Sequence, residues 1–162
     1  MRLTILSVGR QGKTPEQALC DLYLVEAEGF ARKLGFHAPT LVTIDTSRAA
    51  TPDARMKDEG KKLQARLPVG AYRIALDERG RARSSEDFAA HLAALRDRSL
   101  GDLVFLVGGP DGLDASLRDA ADERLALGLQ TWPHFLVRAM LAEQIFRALT
   151  ILAGHPYHRG RV

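Results

Sequence analysis

The segment FLVGGPDG, residues 105–112, runs from an apolar stretch into a turn that contains three glycines. Its apolar residues, 105–107, predict the end of a buried strand. Gly108, Gly109 and Gly112 permit backbone angles that other residues avoid, and they leave the main chain open to a flat ligand. Ligands of open α/β sheets bind at the carboxyl ends of the strands. The segment therefore predicts either a small-ligand site at this edge or a plain tight turn before the next helix.

Strand-like and helix-like patterns alternate from one end of the sequence to the other. The predicted strands are residues 3–8, 41–44, 72–76, 103–107 and 127–132, with a turn at 77–80. The predicted helices are residues 14–35, 51–67, 114–125 and 133–153, and a further helix begins at Ser84. Alternation of this kind predicts an α/β fold, with a mostly parallel sheet and helices on both faces.

Length and composition restrict the class of protein. We assign all 162 residues to one domain, because 46% of them are apolar and can form a buried core. No apolar run is as long as a membrane span, no signal peptide is recognisable, and the single cysteine, Cys20, excludes an internal disulfide. These features predict a cytoplasmic protein.

The net charge is +3, with 18 Arg and 5 Lys. An excess of arginine favours contacts with phosphate, but a GC-rich genome produces the same bias. The charge therefore permits an RNA partner without requiring one.

The last predicted helix is apolar around most of its circumference. Its large apolar residues are Phe135, Leu136, Val137, Met140, Leu141, Ile145, Phe146, Leu149, Ile151 and Leu152. One face can pack on the sheet, and the remainder needs another cover. We therefore expect a homodimer that is built partly on this helix.

Three further segments each admit two interpretations. Residues 9–14, GRQGKT, resemble a nucleotide-binding P-loop, but the loop is about two residues too short, and a strand-to-helix turn is the simpler interpretation. Residues 128–134, GLQTWPH, either offer main-chain groups to an adenine edge or a carboxylate, or form an ordinary connection. In the tail, Tyr157, His158, Arg159 and Arg161 either stack on a base and hold phosphates, or form a frayed end. The two histidines of the tail lack a further metal ligand, so we expect no metal site.

These segments together resemble one family in their order and spacing. The chain is similar to the bacterial large-subunit ribosomal RNA pseudouridine N3-methyltransferases, which are small members of the SPOUT class of knotted methyltransferases. The matching residues are Val8-Gly9, 75–80, 84–86, 105–112, Thr131, Pro133-His134, 136–138, Glu143-Gln144, Arg147-Ala148 and 155–159. The resemblance covers the full length and is strongest from Leu76 onward.

The resemblance implies an enzyme that uses S-adenosylmethionine and forms a homodimer, with a C-terminal trefoil knot. Three loops would hold the cofactor. By motif match, the cofactor-binding residues are Leu76, Gly108, Gly109, Gly128, Leu129, Gln130, Thr131, Trp132 and Pro133. The chain departs from the usual residues of the family at Gln130, Trp132, Phe135 and Phe146, and the extension 160–162 has no assigned role.

The resemblance also implies the reaction and its residues. The methyl group would pass to N3 of a pseudouridine in large-subunit (23S) ribosomal RNA, and the tail of one subunit would complete the pocket of the other. His158 would assist proton loss, with His134 as the alternative, and Tyr157 would orient the base. The predicted catalytic residues are His158, Tyr157 and Arg147, and the predicted RNA contacts are Arg159, His155 and Arg138.

Two other classes of function stay open on the sequence alone. A non-catalytic ribosome-binding factor of α/β fold would need an arginine-rich surface but no cofactor pocket. A nucleotide hydrolase would use residues 9–14. Binding of S-adenosylmethionine distinguishes the first from a methyltransferase, and ATP turnover tests the second.

Overall fold

Five parallel strands form the central sheet in residues 1–159, the part of the chain that a computed structural model describes. The strands are β1 (Arg2–Val8), β2 (Thr40–Ile44), β3 (Tyr72–Ala82), β4 (Asp102–Val107) and β5 (Glu123–Ala126), in the spatial order β2-β1-β4-β3-β5. Every pairing between them is parallel, which confirms the predicted sheet. The extension 160–162, with Arg161, lies outside the described residues.

Helices cover both faces of the sheet, as predicted. They are α1 (Pro15–Lys33), α2 (Pro52–Gln64), α3 (Ser85–Asp97), α4 (Ala115–Asp119) and α5 (His134–Leu152), followed by a short 3-10 helix, Pro156–Arg159. The apolar residues of α1, α3 and α5 form one core with the sheet, and those of α2 and α4 form a second core on the other face. Thr14, Thr51 and Ser84 cap α1, α2 and α3 through side-chain hydrogen bonds to backbone N–H groups.

The boundaries near the end of the sheet differ from the predictions. β3 continues to Ala82 through the predicted turn, with a shift of register against β5 between Leu76 and Arg81. β5 lies before residues 127–132, which form a loop, and α4 ends at Asp119. A short polar strand such as ERLA has no alternating pattern of its own, so its pairing with β3 decides its position.

The chain itself covers most of α5. This helix packs against α1 and α3, and its buried residues include Leu141, Ile145 and Leu149. Phe135 is the one large apolar residue of α5 that is well exposed, with an exposed fraction of 38%. Packing within the chain thus covers much of the apolar surface of α5, while Leu136, Val137, Met140, Ile151 and Leu152 stay half-buried. The homodimer built partly on this helix stays a prediction.

None of the helices in the described part of the chain combines the length and apolarity that a membrane crossing needs. α5 reaches 19 residues, but polar and charged residues interrupt it.

Candidate active site

A cleft of about 850 Å³ opens at the carboxyl edge of the sheet, where three segments meet. The first is the stretch of β3 after Leu76, where the register against β5 shifts, and the other two are the loops that follow β4 and β5. The predicted cofactor-binding residues that line the cleft are Leu76, Gly108, Gly109, Gly128, Gln130, Thr131, Trp132 and Pro133. Leu129, which is 92% exposed, is not among the residues that line it.

The glycine turn after β4 is both a tight turn and a wall of the cleft. The Gly112 N–H donates to the Gly109 carbonyl over 3.0 Å. A Cβ atom on Gly108 would lie 2.4 Å from the carbonyl carbon of Gly112, so no other residue fits there without a shift of the main chain. The two interpretations of this segment are therefore compatible, because the absence of side chains serves both.

The loop 127–133 is held in place by two side chains. The Trp132 indole N–H donates to the Leu127 carbonyl over 3.1 Å. The Thr131 hydroxyl donates to the Glu78 carboxylate over 2.5 Å and so connects this loop to the one within β3. The predicted strand at 127–132 is wrong, but the same residues form a wall of the cleft.

Charged side chains of both signs line the cleft beside the open main chain. They are Asp77, Glu78, Arg79, Asp111 and Arg118. Carboxylates accept hydrogen bonds from hydroxyl and ammonium groups, and guanidinium groups bind carboxylates and phosphates. The cleft thus suits a ligand with a flat apolar part and several polar groups. Among residues 1–159, no group of three or more His, Cys, Asp or Glu side chains is arranged to hold a metal ion.

His134 stands at the first position of α5 and lines the same cleft. Burial and the neighbouring charge of Arg138 lower the pKa of His134. Its imidazole is therefore neutral near pH 7 and can accept a proton.

Arg138 is buried, with an exposed fraction of 1%, so its predicted contact with RNA is wrong. Its guanidinium donates to the Ser7 hydroxyl over 2.7 Å, to the Gly9 carbonyl over 2.6 Å and to the Val8 carbonyl. It thereby fastens the start of α5 to the end of β1.

Residues 9–14 form a strand-to-helix turn in which Thr14 caps α1, the simpler of the two interpretations of that segment.

The predicted catalytic residues meet at the other end of α5. The Arg147 guanidinium lies 4.9 Å from the centre of the Tyr157 ring and pairs with the Glu143 carboxylate at 2.6 Å. The Tyr157 hydroxyl donates to the same carboxylate over 3.2 Å, and burial raises the pKa of this phenol. His158 lies one residue further along, with its Nδ1 atom 2.9 Å from the His155 carbonyl oxygen.

The cleft and the tail lie at different places along α5. His134 begins this helix and Leu152 ends it, so its 19 residues span about 28 Å. The tail folds back along the helix, since the Tyr157 hydroxyl contacts Glu143, which is nine residues, or about 14 Å, after His134. None of residues 143–159 lines the cleft. The cleft and the predicted catalytic residues of the tail therefore do not meet within one chain.

Sequence reasoning did not find the residues of α2 that stand behind the glycine turn. Arg55 pairs with Asp111 through two hydrogen bonds, and the Glu59 side chain is buried against Gly109. These residues are 50 or more positions apart along the chain, and no local pattern signals such a contact.

The sequence matches one protein family over almost its full length. Residues 1–158 match a family described as "Predicted SPOUT methyltransferase". A protein of Nitrobacter hamburgensis named "Ribosomal RNA large subunit methyltransferase H" is 47% identical over 160 residues, which is 99% of this chain and 100% of the relative. A protein of the same name from Xanthobacter autotrophicus is 50% identical over 159 residues, 98% of this chain and 99% of the relative. Among solved structures, a probable methyltransferase from Bordetella pertussis has a TM-score of 0.49 and 17% identity, covering 91% of this chain and 96% of the other.

Proposed function

The chain belongs to the SPOUT methyltransferase family, and we propose that it methylates the RNA of the large ribosomal subunit. The acceptor is N3 of a pseudouridine, and the methyl donor is S-adenosylmethionine. Relatives of nearly equal length that carry the name of a ribosomal RNA large subunit methyltransferase support this substrate. The observation that carries the proposal is the cleft of about 850 Å³ that the end of β3 and the loops after β4 and β5 form at the carboxyl edge of the sheet.

The residues of the cleft fit this cofactor. At Gly108, a Cβ atom would overlap the main chain of Gly112, so the tight turn that lines the cleft requires glycine there. The carboxylates of Asp77 and Glu78 provide acceptors for ribose hydroxyls or an ammonium group. The main chain of 128–133 provides donors and acceptors for an adenine edge. When bound, S-adenosylmethionine supplies the methyl group of its sulfonium.

The tail binds and orients the acceptor base. A pseudouridine must leave its stack to reach the methyl donor, which costs a few kcal/mol. Tyr157 keeps its proton because its pKa is raised, and as a neutral phenol it orients the base through its ring and its hydroxyl. Arg147 and Arg159 neutralise phosphate or the negative charge that develops on the ring.

Holding the ring nitrogen in line with the methyl group contributes about 7–11 kcal/mol through positioning. The nitrogen also loses a proton, and His158 on the tail accepts it. His134 is the alternative acceptor, because it lies in the cleft and its lowered pKa leaves it neutral.

A second copy of the chain completes the site. The tail packs against Glu143 and Arg147 and lines no part of its own cleft, which favours a tail that serves the cleft of a partner. Leu19, Leu22 and Val25 lie on the outer side of α1 with 41%, 52% and 69% of their surface exposed. An apolar row of this kind on a helix is typical of a contact between chains. We place the homodimer interface on this row, and we expect the enzyme in the cytoplasm, where ribosomes are. The trefoil knot of the C-terminal segment belongs to the same proposal.

The experiment is methyl transfer to ribosomal RNA in vitro. Large subunits and free 23S RNA from cells that lack this protein are incubated with the protein and labelled S-adenosylmethionine, and the product is mapped by mass spectrometry. We expect one methyl group on one pseudouridine. If the protein binds S-adenosylmethionine in calorimetry but labels no ribosomal RNA, the substrate is wrong. If it binds no S-adenosylmethionine, a non-catalytic ribosome-binding factor becomes the better hypothesis.

A further inference from the structure

Helix α2 contacts the glycine turn of the cleft from behind. The Arg55 guanidinium forms two parallel hydrogen bonds with the Asp111 carboxylate, of 2.6 Å from Nε to Oδ2 and 3.0 Å from Nη2 to Oδ1. The exposed fractions of the two side chains are 26% and 22%. Bidentate pairs of this kind fix geometry as well as charge, and partial burial reduces their screening by solvent.

One helical turn further along α2, Glu59 is buried, with an exposed fraction of 2%. Its Oε1 atom accepts a hydrogen bond of 2.8 Å from the Ser47 N–H. Its Oε2 atom has no hydrogen-bond partner among residues 1–159 and faces Gly109, where a Cβ atom would lie 2.9 Å from it. The carboxyl group therefore occupies the space that a side chain at 109 would need.

The next residue of α2, Gly60, makes a third contact. A Cβ atom on Gly60 would lie 2.7 Å from the Cβ atom of Asp114, so α2 and the end of the glycine turn are in close contact there. Arg55 and Glu59 share one face of α2, since they are four residues apart, and Gly60 lies beside that face. This face holds the turn at Asp111, Gly109 and Asp114. Arg55 also donates to the Ala49 carbonyl over 3.2 Å, which ties the loop after β2 to the same face.

The glycines explain why such a support matters. A turn with three glycines in five residues has more conformational freedom than other turns, and ordering it on ligand binding lowers affinity. We propose that Arg55 and Glu59 are positioning residues that hold this turn in its cofactor-binding conformation before the cofactor arrives. Neither residue lines the cleft, so both act through the turn. The identity of the ligand rests on the proposed function.

The test compares Arg55→Met with a matched control, Arg2→Met. Arg2 also forms a two-bond pair, with Asp102 at 2.6 and 2.7 Å, but at the amino edge of the sheet, away from the cleft. The affinity for S-adenosylhomocysteine is measured by calorimetry and by the fluorescence of Trp132, the single tryptophan of the chain, which lines the cleft. Urea unfolding is measured for both variants.

We expect Arg55→Met to raise the Kd about tenfold, the equivalent of 1.4 kcal/mol. In turnover assays the loss appears mainly in the KM for S-adenosylmethionine rather than in kcat. Arg2→Met leaves the Kd unchanged. Asp111→Asn weakens binding to a similar extent, and the double variant with Arg55→Met is no weaker than either single variant, because both remove the same pair. Glu59→Ala weakens binding more than Glu59→Gln, which keeps the shape of the side chain.

An unchanged Kd in Arg55→Met would overturn the inference, and so would equal changes in Arg55→Met and Arg2→Met, which would reflect lost stability alone. If Arg55→Met does not fold, Asp111→Asn decides by the same criterion. If the unsubstituted protein binds no S-adenosylhomocysteine, the proposed function fails and the inference fails with it. Binding by the unsubstituted protein with no response in the variants overturns the inference alone.

Discussion

Two inactive variants should restore each other's activity if the tail of one subunit serves the cleft of the other. The first variant is Gly108→Ala, whose new Cβ atom would lie 2.4 Å from the Gly112 carbonyl carbon and so disturb the cofactor turn. The second is a truncation after Gly154, which removes Tyr157 and His158 but leaves the cleft intact. Each variant alone has only one kind of half-site, so each is expected to be inactive.

The size of the restored activity follows from the geometry. The tail of a chain lines no part of the cleft of the same chain, so in the proposed dimer a complete site needs the cleft of one subunit and the tail of its partner. When the two variants are mixed in equal amounts and their subunits exchange, about half of the dimers are mixed, and each has one intact cleft facing one intact tail. The expected activity per chain is therefore about one quarter of that of the unsubstituted dimer.

The assay is methyl transfer to large ribosomal subunits after the variants are expressed together with two different affinity tags. Purification through both tags isolates the mixed dimer, whose activity should rise to about one half. A mixed dimer in which one chain carries both changes and the other is unsubstituted serves as the control. It pairs each intact half-site with a damaged one and should be inactive. Refutation is direct: if the first mixed dimer is inactive and the control is active, each chain uses its own tail, and the cross-subunit site is wrong.

Three further predictions concern the tail, the dimer and pH. Truncation after Gly154 should abolish methyl transfer while the Kd for S-adenosylmethionine, measured by calorimetry, changes by less than about threefold, because the cleft lies at the other end of α5. Leu22→Glu combined with Val25→Glu should give a monomer in light scattering and no methyl transfer, since charges on the exposed row of α1 prevent its burial. Burial raises the pKa of Glu59 above its ordinary value of 4.5, so the folded protein binds more protons there than the unfolded chain. The free energy of unfolding should therefore fall as the pH rises from the pKa of Glu59 in the unfolded chain to its higher pKa in the folded protein. Glu59→Gln should remove this part of the pH dependence in urea titrations.

Each of these predictions has a result that contradicts it. Methyl transfer by the truncated chain would remove the tail from the mechanism. A dimer of normal mass in the doubly substituted α1 variant would place the interface elsewhere. Unfolding curves of the unsubstituted protein and Glu59→Gln that respond identically to pH would mean that Glu59 titrates normally.

Much of the fold could be predicted because its signals are local. The caps at Thr14, Thr51 and Ser84, the apolar strand before Gly108 and the alternation of patterns are all set by neighbours along the chain. The short polar strand β5 was misplaced for the opposite reason. Four residues with one arginine and one glutamate carry no pattern, and only pairing with β3 makes them a strand.

In the candidate site, too, features set by neighbouring residues could be predicted, and features set by long-range packing could not. Eight of the nine predicted cofactor residues line one cleft, because the carboxyl ends of parallel strands meet at one edge. The sequence also predicted an RNA contact for Arg138, whose burial depends on the path of β1 past α5. The positions of charged side chains in a core follow from such packing and not from residue type.

The sequence by itself determined a parallel α/β sheet, an open glycine turn at its carboxyl edge and an aromatic, basic tail after the last helix. Only the tertiary structure decided that Arg55 and Glu59 stand behind that turn, that Arg138 is buried, and that cleft and tail do not meet within one chain. The physical reason is that caps, turns and periodicity act over a few residues, whereas contacts such as Arg55 with Asp111 join residues 56 positions apart. Such contacts form only when the packed strands have brought the two residues together.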